Sequence, residues 1–335
     1  MRAMIAAASG KLELADLPVP RPGEYESLVR MDACGICNST DIKLLHNEFC
    51  PGPFPAVLGH EVVGTVVEIG PKTENFAVGD RVFRQRLNPN HLPGGYRSNW
   101  GGFAEYGIVT DEWAKQGKPY GPASLPHDQQ KLMADLKAPL AAGMVTLMET
   151  LDALQTTGAS SRKSVAIVGS GPVGQAFALF ARLCGAGPVI AFGRSESRAL
   201  RFGAVCGIDA YVAGEVWPAA VQDVLANGGF DIVIEAVGSA EALVKCSHLA
   251  GQNGVVWVYG VAPDSKPFDN TLRSQPNVRT LGATEGRSQA ELLRWVDAGK
   301  VRLEDWVSDV LPLSDYQQGF DLVENKRALK VVLTP

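Results

Sequence analysis

The tightest constraint on this chain is one short run, Gly169-Ser170-Gly171-Pro172-Val173-Gly174, placed directly after the apolar stretch Val165-Ala166-Ile167-Val168. Four apolar residues in a row read as a buried strand, and the spacing over 173–183 is helical. Strand, glycine turn and helix in that order make the first half of a βαβ unit. In Gly169-x-Gly171-x-x-Gly174 the first glycine permits a tight turn and the second lets backbone approach phosphate oxygens. The third allows close helix–sheet packing, and a helix opening at Pro172 and Val173 presents free N–H groups and positive dipole to a pyrophosphate.

The alternation continues. Strands are expected over 189–192, 210–212, 231–236, 255–259 and 278–282, with helical segments over 196–202 and 240–249 between them. That pattern makes a parallel, doubly wound sheet. The end of its second strand reads Gly193-Arg194-Ser195, with Arg198 just beyond. An acidic residue there accepts bonds from the ribose of NAD. A glycine leaves room for a 2′-phosphate, and arginines bind one through charge-assisted bonds, so NADP is favoured over NAD. Backbone around Val258 and Gly260, at the C-terminal end of the fifth strand, is expected to line the nicotinamide pocket.

Before residue 140 the texture differs. Short Val/Ile-rich segments at 27–31, 61–69, 80–83 and 104–109 read as strands, with Pro18, Pro20, Pro22-Gly23 and Pro51-Gly52-Pro53 in loops. The polar stretch 84–100, with Arg86, Asn88, Asn90, His91, Tyr96 and Trp100, is expected as a long solvated loop. Folded over a site, its groups would suit a hydroxylated substrate. Two residues in this half stand out as zinc-ligand types, Cys37 in Gly35-Ile36-Cys37 and His60 in Gly59-His60-Glu61. Asp41 could orient a ligand imidazole from behind, and Glu61 could stand near the metal or bind it.

Bulk properties narrow the class. The 335 residues suffice for two domains, and 46% apolar with 20% charged residues is a globular composition. A net charge of −5 without a basic block disfavours nucleic acid or an anionic membrane as partner. No stretch approaches the ~20 apolar residues of a membrane span. Six sparse cysteines suit reduced thiols in a cytoplasmic enzyme.

These motifs occur with Ala33-Cys34-Gly35-Ile36-Cys37, Leu58-Gly59-His60-Glu61-Val62-Val63-Gly64, Val78-Gly79-Asp80-Arg81-Val82, Gly101-Gly102-Phe103-Ala104-Glu105-Tyr106 and Lys330-Val331-Val332-Leu333. In that order, over nearly the whole chain, the sequence resembles the zinc-dependent medium-chain dehydrogenase/reductase family, which includes alcohol, sorbitol and threonine dehydrogenases. The resemblance implies an α/β protein with a GroES-like, β-rich catalytic domain (1–142 and 285–335) around a Rossmann domain (143–284). It also implies a cleft between them, a homodimer or homotetramer, and one catalytic zinc on Cys37 and His60.

Three departures from the family pattern matter. The third ligand is often the Glu of a Glu-Pro-Leu element, where this chain reads Ala138-Pro139-Leu140; Glu61 is the best substitute, Asp135 and Cys50 weaker ones. The segment Cys37-Asn38-Ser39-Thr40-Asp41 is one residue longer than usual, so the proton-accepting hydroxyl is Ser39 or Thr40. Lys43 stands where a relay histidine is common, and His46 reads as a surface residue. Between Phe83 and Glu112 there is no cysteine, so no structural zinc is expected there.

The expected activity is hydride transfer between NADP(H) and a small secondary alcohol or ketone, in particular a polyol, sugar or cyclitol. Two alternatives stay open: a metal-free reductase of an activated double bond or quinone, and a non-catalytic dinucleotide-binding redox sensor.

Overall fold

The computed structural model describes every residue except Glu215, Ala283 and Thr284, with backbone alone at Glu285. The chain opens with β1 (Arg2–Ala8), β2 (Lys11–Asp16) and β3 (Glu26–Gly35), then the short helix α1 (Thr40–Leu45). Strands β4 (Ala56–Val57), β5 (Glu61–Ile69), β6 (Arg81–Phe83), β7 (Arg97–Ser98) and β8 (Tyr106–Thr110) follow. Helices α2 (Glu112–Gln116) and α3 (Ala138–Thr157) lead to β9 (Val165–Val168), α4 (Pro172–Leu183), β10 (Val189–Gly193), β11 (Ala210–Ala213), β12 (Phe230–Glu235), β13 (Ala250–Val258) and β14 (Val278–Thr280). β15 (Asp309–Pro312) and β16 (Val331–Thr334) come last. Two compact units result: Met1–Met148 with Thr284–Pro335, and Glu149–Ala283. The junction expected at 284/285 abuts residues outside the described set.

In the first unit, one sheet runs β2-β1-β4-β7 and a second runs β15-β16-β3-β5-β6, with β8 also paired to β3. β3 is the axis of this unit. It pairs antiparallel with β5, setting Cys34 against Val62 and Gly35 against Glu61. It pairs antiparallel with β16 as well, setting Gly35 against Val332. The first four residues of β5 are all buried, so both faces of the strand are covered there. Met31, Ile36, Leu44, Val62, Phe103 and Leu333 share one core.

The second unit is a parallel sheet ordered β11-β10-β9-β12-β13-β14. With β9 as first strand this is the 3-2-1-4-5-6 order of a doubly wound fold. β9 is buried at all four positions, as a strand with helices on both faces must be.

Three segments depart from the sequence-based expectation. The stretch over 196–202 is not one helix: a 3-10 turn at Glu196–Arg198 passes into Ala199–Arg201 and then a π-type turn at Phe202–Cys206. The fifth strand of the sheet starts at Ala250 rather than 255. The polar stretch 84–100 is also less open than expected. Leu87 is buried, Pro89–His91 forms a 3-10 turn, and Arg97–Ser98 pairs with β4. None of the helices is long and apolar enough to cross a membrane among the described residues.

Asp111 shows how a loop in the first unit is tied down. Its Oδ1 accepts from Ala114 N (3.0 Å) at the start of α2 and from Asn75 Nδ2 (2.9 Å). Its Oδ2 accepts from Glu74 N (3.0 Å) and Asn75 N (2.8 Å). Burial works to raise the carboxyl pKa, but these bonds to the charged form hold it below its usual value. Asp111→Ala should cost about 2–3 kcal/mol in denaturant unfolding at neutral pH, because backbone donors lose their acceptor. The contribution is complete above the unfolded-state pKa and lost as pH falls through the lower folded value, so wild type and variant should converge in acid.

Candidate functional site

The register around β3 assembles the first candidate site. Because Gly35 faces Glu61, the chain leaves β3 towards Cys37 beside the point where it enters β5 through His60. Because Val332 also faces Gly35, the approach to β16 delivers Lys330 to the same place. A Cβ at Gly35 would lie 2.7 Å from Glu61 Oε2, so this close approach requires glycine.

Cys37, His60 and Glu61 each offer one ligand atom, and these atoms lie within 4.8 Å of one another. His60 and Glu61 are buried and Cys37 is half-buried. Sulfur, imidazole nitrogen and carboxylate oxygen are the donor types that zinc takes. Bonds of ~2.0–2.3 Å at tetrahedral angles place ligand atoms about 3.5 Å apart, so small side-chain rotations would close the set.

The start of α1 folds back over Cys37. Thr40 N donates to Cys37 Sγ (3.4 Å), and Cys37 N donates to Asp41 Oδ2 (2.8 Å). The other carboxylate oxygen of Asp41, which is fully buried, lies 3.4 Å from His60 Nδ1, and neither atom has a hydrogen-bond partner. An imidazole held through its other nitrogen by a metal would complete this pair, with Nδ1–H donating to Asp41. The residues fit a zinc ion on that ground. Burial opposes protonation of His60, but Asp41 and then Cys37 raise its pKa well above the usual value, so the local field favours a cation.

Glu61 is engaged on its other side. Lys330 Nζ donates to Oε2 (2.5 Å), to Oε1 (2.7 Å) and to Ile36 O (3.4 Å), while Thr146 Oγ1 donates to Oε1 (2.9 Å). Both charged side chains are almost fully buried, at 4% and 1% exposure. Desolvation works against the ammonium, yet Glu61 keeps the Lys330 pKa above that of a free lysine. Ala138 starts α3 and offers only a methyl. Asp135 and Cys50 are exposed and do not join the cluster.

Ser39 precedes α1, and its Oγ accepts from Lys43 Nζ (3.1 Å). Thr40, the first residue of α1, is half-buried beside it. His46 is bonded to Glu324 (2.7 Å), away from Cys37 and His60. The indole of Trp100 lies against the His60 ring, with centroids 5.1 Å apart and planes tilted by 46°. Trp100 has φ +67°, an uncommon backbone conformation for so bulky a side chain.

In the second unit, Gly169 has φ +140°, and a Cβ at Gly174 would collide with the Gly169 carbonyl. Gly171 caps α4, Pro172 occupies its first turn with Val173 next, and a Cβ at Gly171 would meet nothing within 4 Å. The helix end is thus open to a phosphate, as the motif requires. Arg198 donates to Ser170 O in the glycine turn (2.5 Å), while Arg194 and Ser195 are exposed. One expectation needs correction. Gly193 does not leave a vacant space, because the Tyr211 hydroxyl fills the position of its missing Cβ and donates to Ser195 O (2.9 Å). Val258 and Gly260 line a cavity of about 400 Å³ with Phe268, Arg273 and Thr280.

Four residues beside these sites were not anticipated in these roles: Lys330, Thr146, Trp100 and Tyr211. Only Lys330 carried a signal. A lysine opening the apolar run Val331-Val332-Leu333 is a charge about to be buried, which demands a partner.

Comparison with known proteins agrees with this geometry. Residues 23–118 match the model of the alcohol dehydrogenase GroES-like domain, and residues 172–298 match that of zinc-binding dehydrogenases. The chain is 30% identical to L-threonine 3-dehydrogenase of Pyrococcus horikoshii, over 96% of this chain and 94% of that protein. It is 25% identical to erythritol/L-threitol dehydrogenase of Mycolicibacterium smegmatis, over 100% and 98%. Among solved structures, a candidate zinc-binding dehydrogenase of Sinorhizobium meliloti 1021 bound to NADP is similar at 27% identity and a TM-score of 0.76, covering 100% and 99% of the two chains.

The buried pair makes a distinct prediction. Lys330→Met should destabilise the protein by about 3–5 kcal/mol in chemical unfolding, because it strands the Glu61 carboxylate in the core. Adding Glu61→Leu to that variant should restore most of the loss.

Proposed function

Since this chain belongs to the zinc-type medium-chain dehydrogenases and is an NAD(P)-dependent alcohol or polyol dehydrogenase, we propose that it moves a hydride between NADP(H) and a secondary alcohol or ketone. The observation that carries the reading is the convergence of Cys37, His60 and Glu61 within 4.8 Å, with Asp41 behind the imidazole. When bound, a zinc ion supplies Lewis acidity that lowers the pKa of an alcohol, and the nicotinamide supplies the hydride acceptor or donor.

The chain's own groups do the rest. Cys37 and His60 are the two primary ligands, and Asp41 fixes the tautomer of His60. Glu61 is the third ligand we favour, reached by rotating away from Lys330. Ser39 or Thr40 is the hydroxyl that takes the substrate proton and passes its own onward; the Ser39 oxygen already accepts from the Lys43 ammonium. The turn from Gly169 to Gly174 holds the pyrophosphate.

Support for NADP comes from the lack of a carboxylate at the end of β10, the exposed Arg194 and Ser195, and the NADP bound by the Sinorhizobium meliloti relative. The Tyr211 bond to Ser195 O holds the loop that would carry the 2′-phosphate. The engagement of Glu61 by Lys330, together with Ala138, is the observation behind a second reading, a metal-free reductase of the wider superfamily that reduces an activated double bond or quinone.

Elemental analysis with activity assays separates the two. Purified protein should hold about one zinc per chain. Chelation should remove metal and alcohol-dependent NADP⁺ reduction together, and Cys37→Ser should remove both. Full activity in metal-free protein would sink the zinc reading. For the cofactor, Arg194→Ala should lower kcat/KM for NADPH about tenfold or more while changing that for NADH little.

A further inference from the structure

We propose that Trp100 is a positioning residue for the candidate metal centre, its indole setting the plane of the His60 imidazole in readiness for an ion; the inference rests on the zinc reading above. The torsion that turns an imidazole about its Cβ–Cγ bond has broad minima, so the plane of a histidine ring is decided by what touches it. Asp41 Oδ1 lies 3.4 Å from His60 Nδ1 without a hydrogen bond, which marks one edge of the ring and leaves its tilt open. Trp100 supplies the second contact. Its ring centroid lies 5.1 Å from that of His60, with the planes at 46°, inside the range of favourable aromatic pairs.

The backbone on both sides of Trp100 is tied to the segment that leads into His60. Arg97 and Ser98 pair with Ala56 and Val57, and Asn99 N donates to Val57 O (2.8 Å). Beyond Trp100, Gly102 N donates to Gly59 O (2.8 Å) and Phe103 N to Leu58 O (3.0 Å). Leu87 N donates to the Trp100 carbonyl itself (2.7 Å). The half-buried indole packs on the core that holds Leu44, Leu58, Val62 and Phe103.

Trp100 and Gly101 are both left-handed, at φ +67° and +87°. A Cβ at Gly101 would lie 2.8 Å from Leu87 Cβ, so the turn is also closely packed. It interrupts the pairing with the segment before His60 at the very residue whose indole meets the imidazole. For a tryptophan this conformation is costly. Such strain persists where the surroundings enforce it, and it gathers at functional sites.

A ring held at one edge by a carboxylate and against an indole has little freedom left to lose when an ion binds. Groups that orient a metal ligand in this way account for about 10–100-fold in metal affinity. An aliphatic side chain of similar bulk would fill the space without offering a flat surface, so the role belongs to the aromatic ring and not to packing alone.

Zinc affinity of the metal-depleted full chain, measured by competition with a chromophoric chelator, tests the inference. Trp100→Phe keeps a ring and should stay within about threefold of wild type, whereas Trp100→Leu and Trp100→Met should each bind zinc about 10–100-fold more weakly. The two aliphatic variants guard against a folding defect in either one. The visible spectrum of the Co²⁺-loaded protein follows ligand geometry, so it should be shared by wild type and Trp100→Phe and altered in the aliphatic variants. Aliphatic variants equal to wild type, or Trp100→Phe no better than they are, would overturn the role of the indole while leaving the zinc reading intact. Wild-type protein that takes up no zinc would remove both.

Discussion

One buried ion pair organises the first unit of this protein. Glu61 opens β5, Lys330 immediately precedes β16, and their side chains meet at 2.5 Å with almost no exposure to solvent. Neither charge is tolerable there alone. The antiparallel pairing of β3 with both strands is what makes them partners, and Thr146 and the Ile36 carbonyl take part in the same hydrogen-bond set. The pair therefore couples the correct register of a sheet to the electrostatics of a site. A slip of one residue in either pairing would move a charge to the wrong face of its strand.

That coupling bears on how a metal would be held. Cys37 and His60 sit in segments that leave and enter the sheet beside Glu61, and Asp41 approaches from α1. Two carboxylates thus flank the imidazole and thiol, but only one has a full-strength cationic partner in the protein. Asp41 Oδ1 faces His60 Nδ1 across 3.4 Å without a hydrogen bond, whereas both oxygens of Glu61 accept from Lys330. The asymmetry matches the parts proposed for them, Asp41 to orient a ligand and Glu61 to serve as one.

Much of this was legible in the residues themselves. The glycine run declared a βαβ turn because each glycine answers a separate steric demand, and the structure shows the collision that a side chain at Gly174 would cause. The alternation of apolar strands and helices declared the parallel sheet. What escaped was whatever depends on contacts between distant segments. Nothing local to Tyr211 reveals that its hydroxyl fills the space beside Gly193, so a glycine read as an opening turned out to be a packing contact. The stretch 84–100 looked like solvated loop from its polarity, yet Leu87 and the pairing of Arg97–Ser98 with β4 draw it into the fold. The tilted contact of Trp100 with His60, two residues beyond that pairing, is likewise invisible in composition.

The first unit is sewn from two stretches of chain, with the second unit contained wholly within residues 149–283. During synthesis the inserted piece has every strand it needs well before the outer one does, and domains commonly fold as their sequence emerges. Until residue 330 has been made, Glu61 has no ammonium to meet, and β3 lacks the neighbour that β16 provides. The centre around Cys37 therefore gains its last partner only after the whole of the nucleotide-binding half has been synthesised.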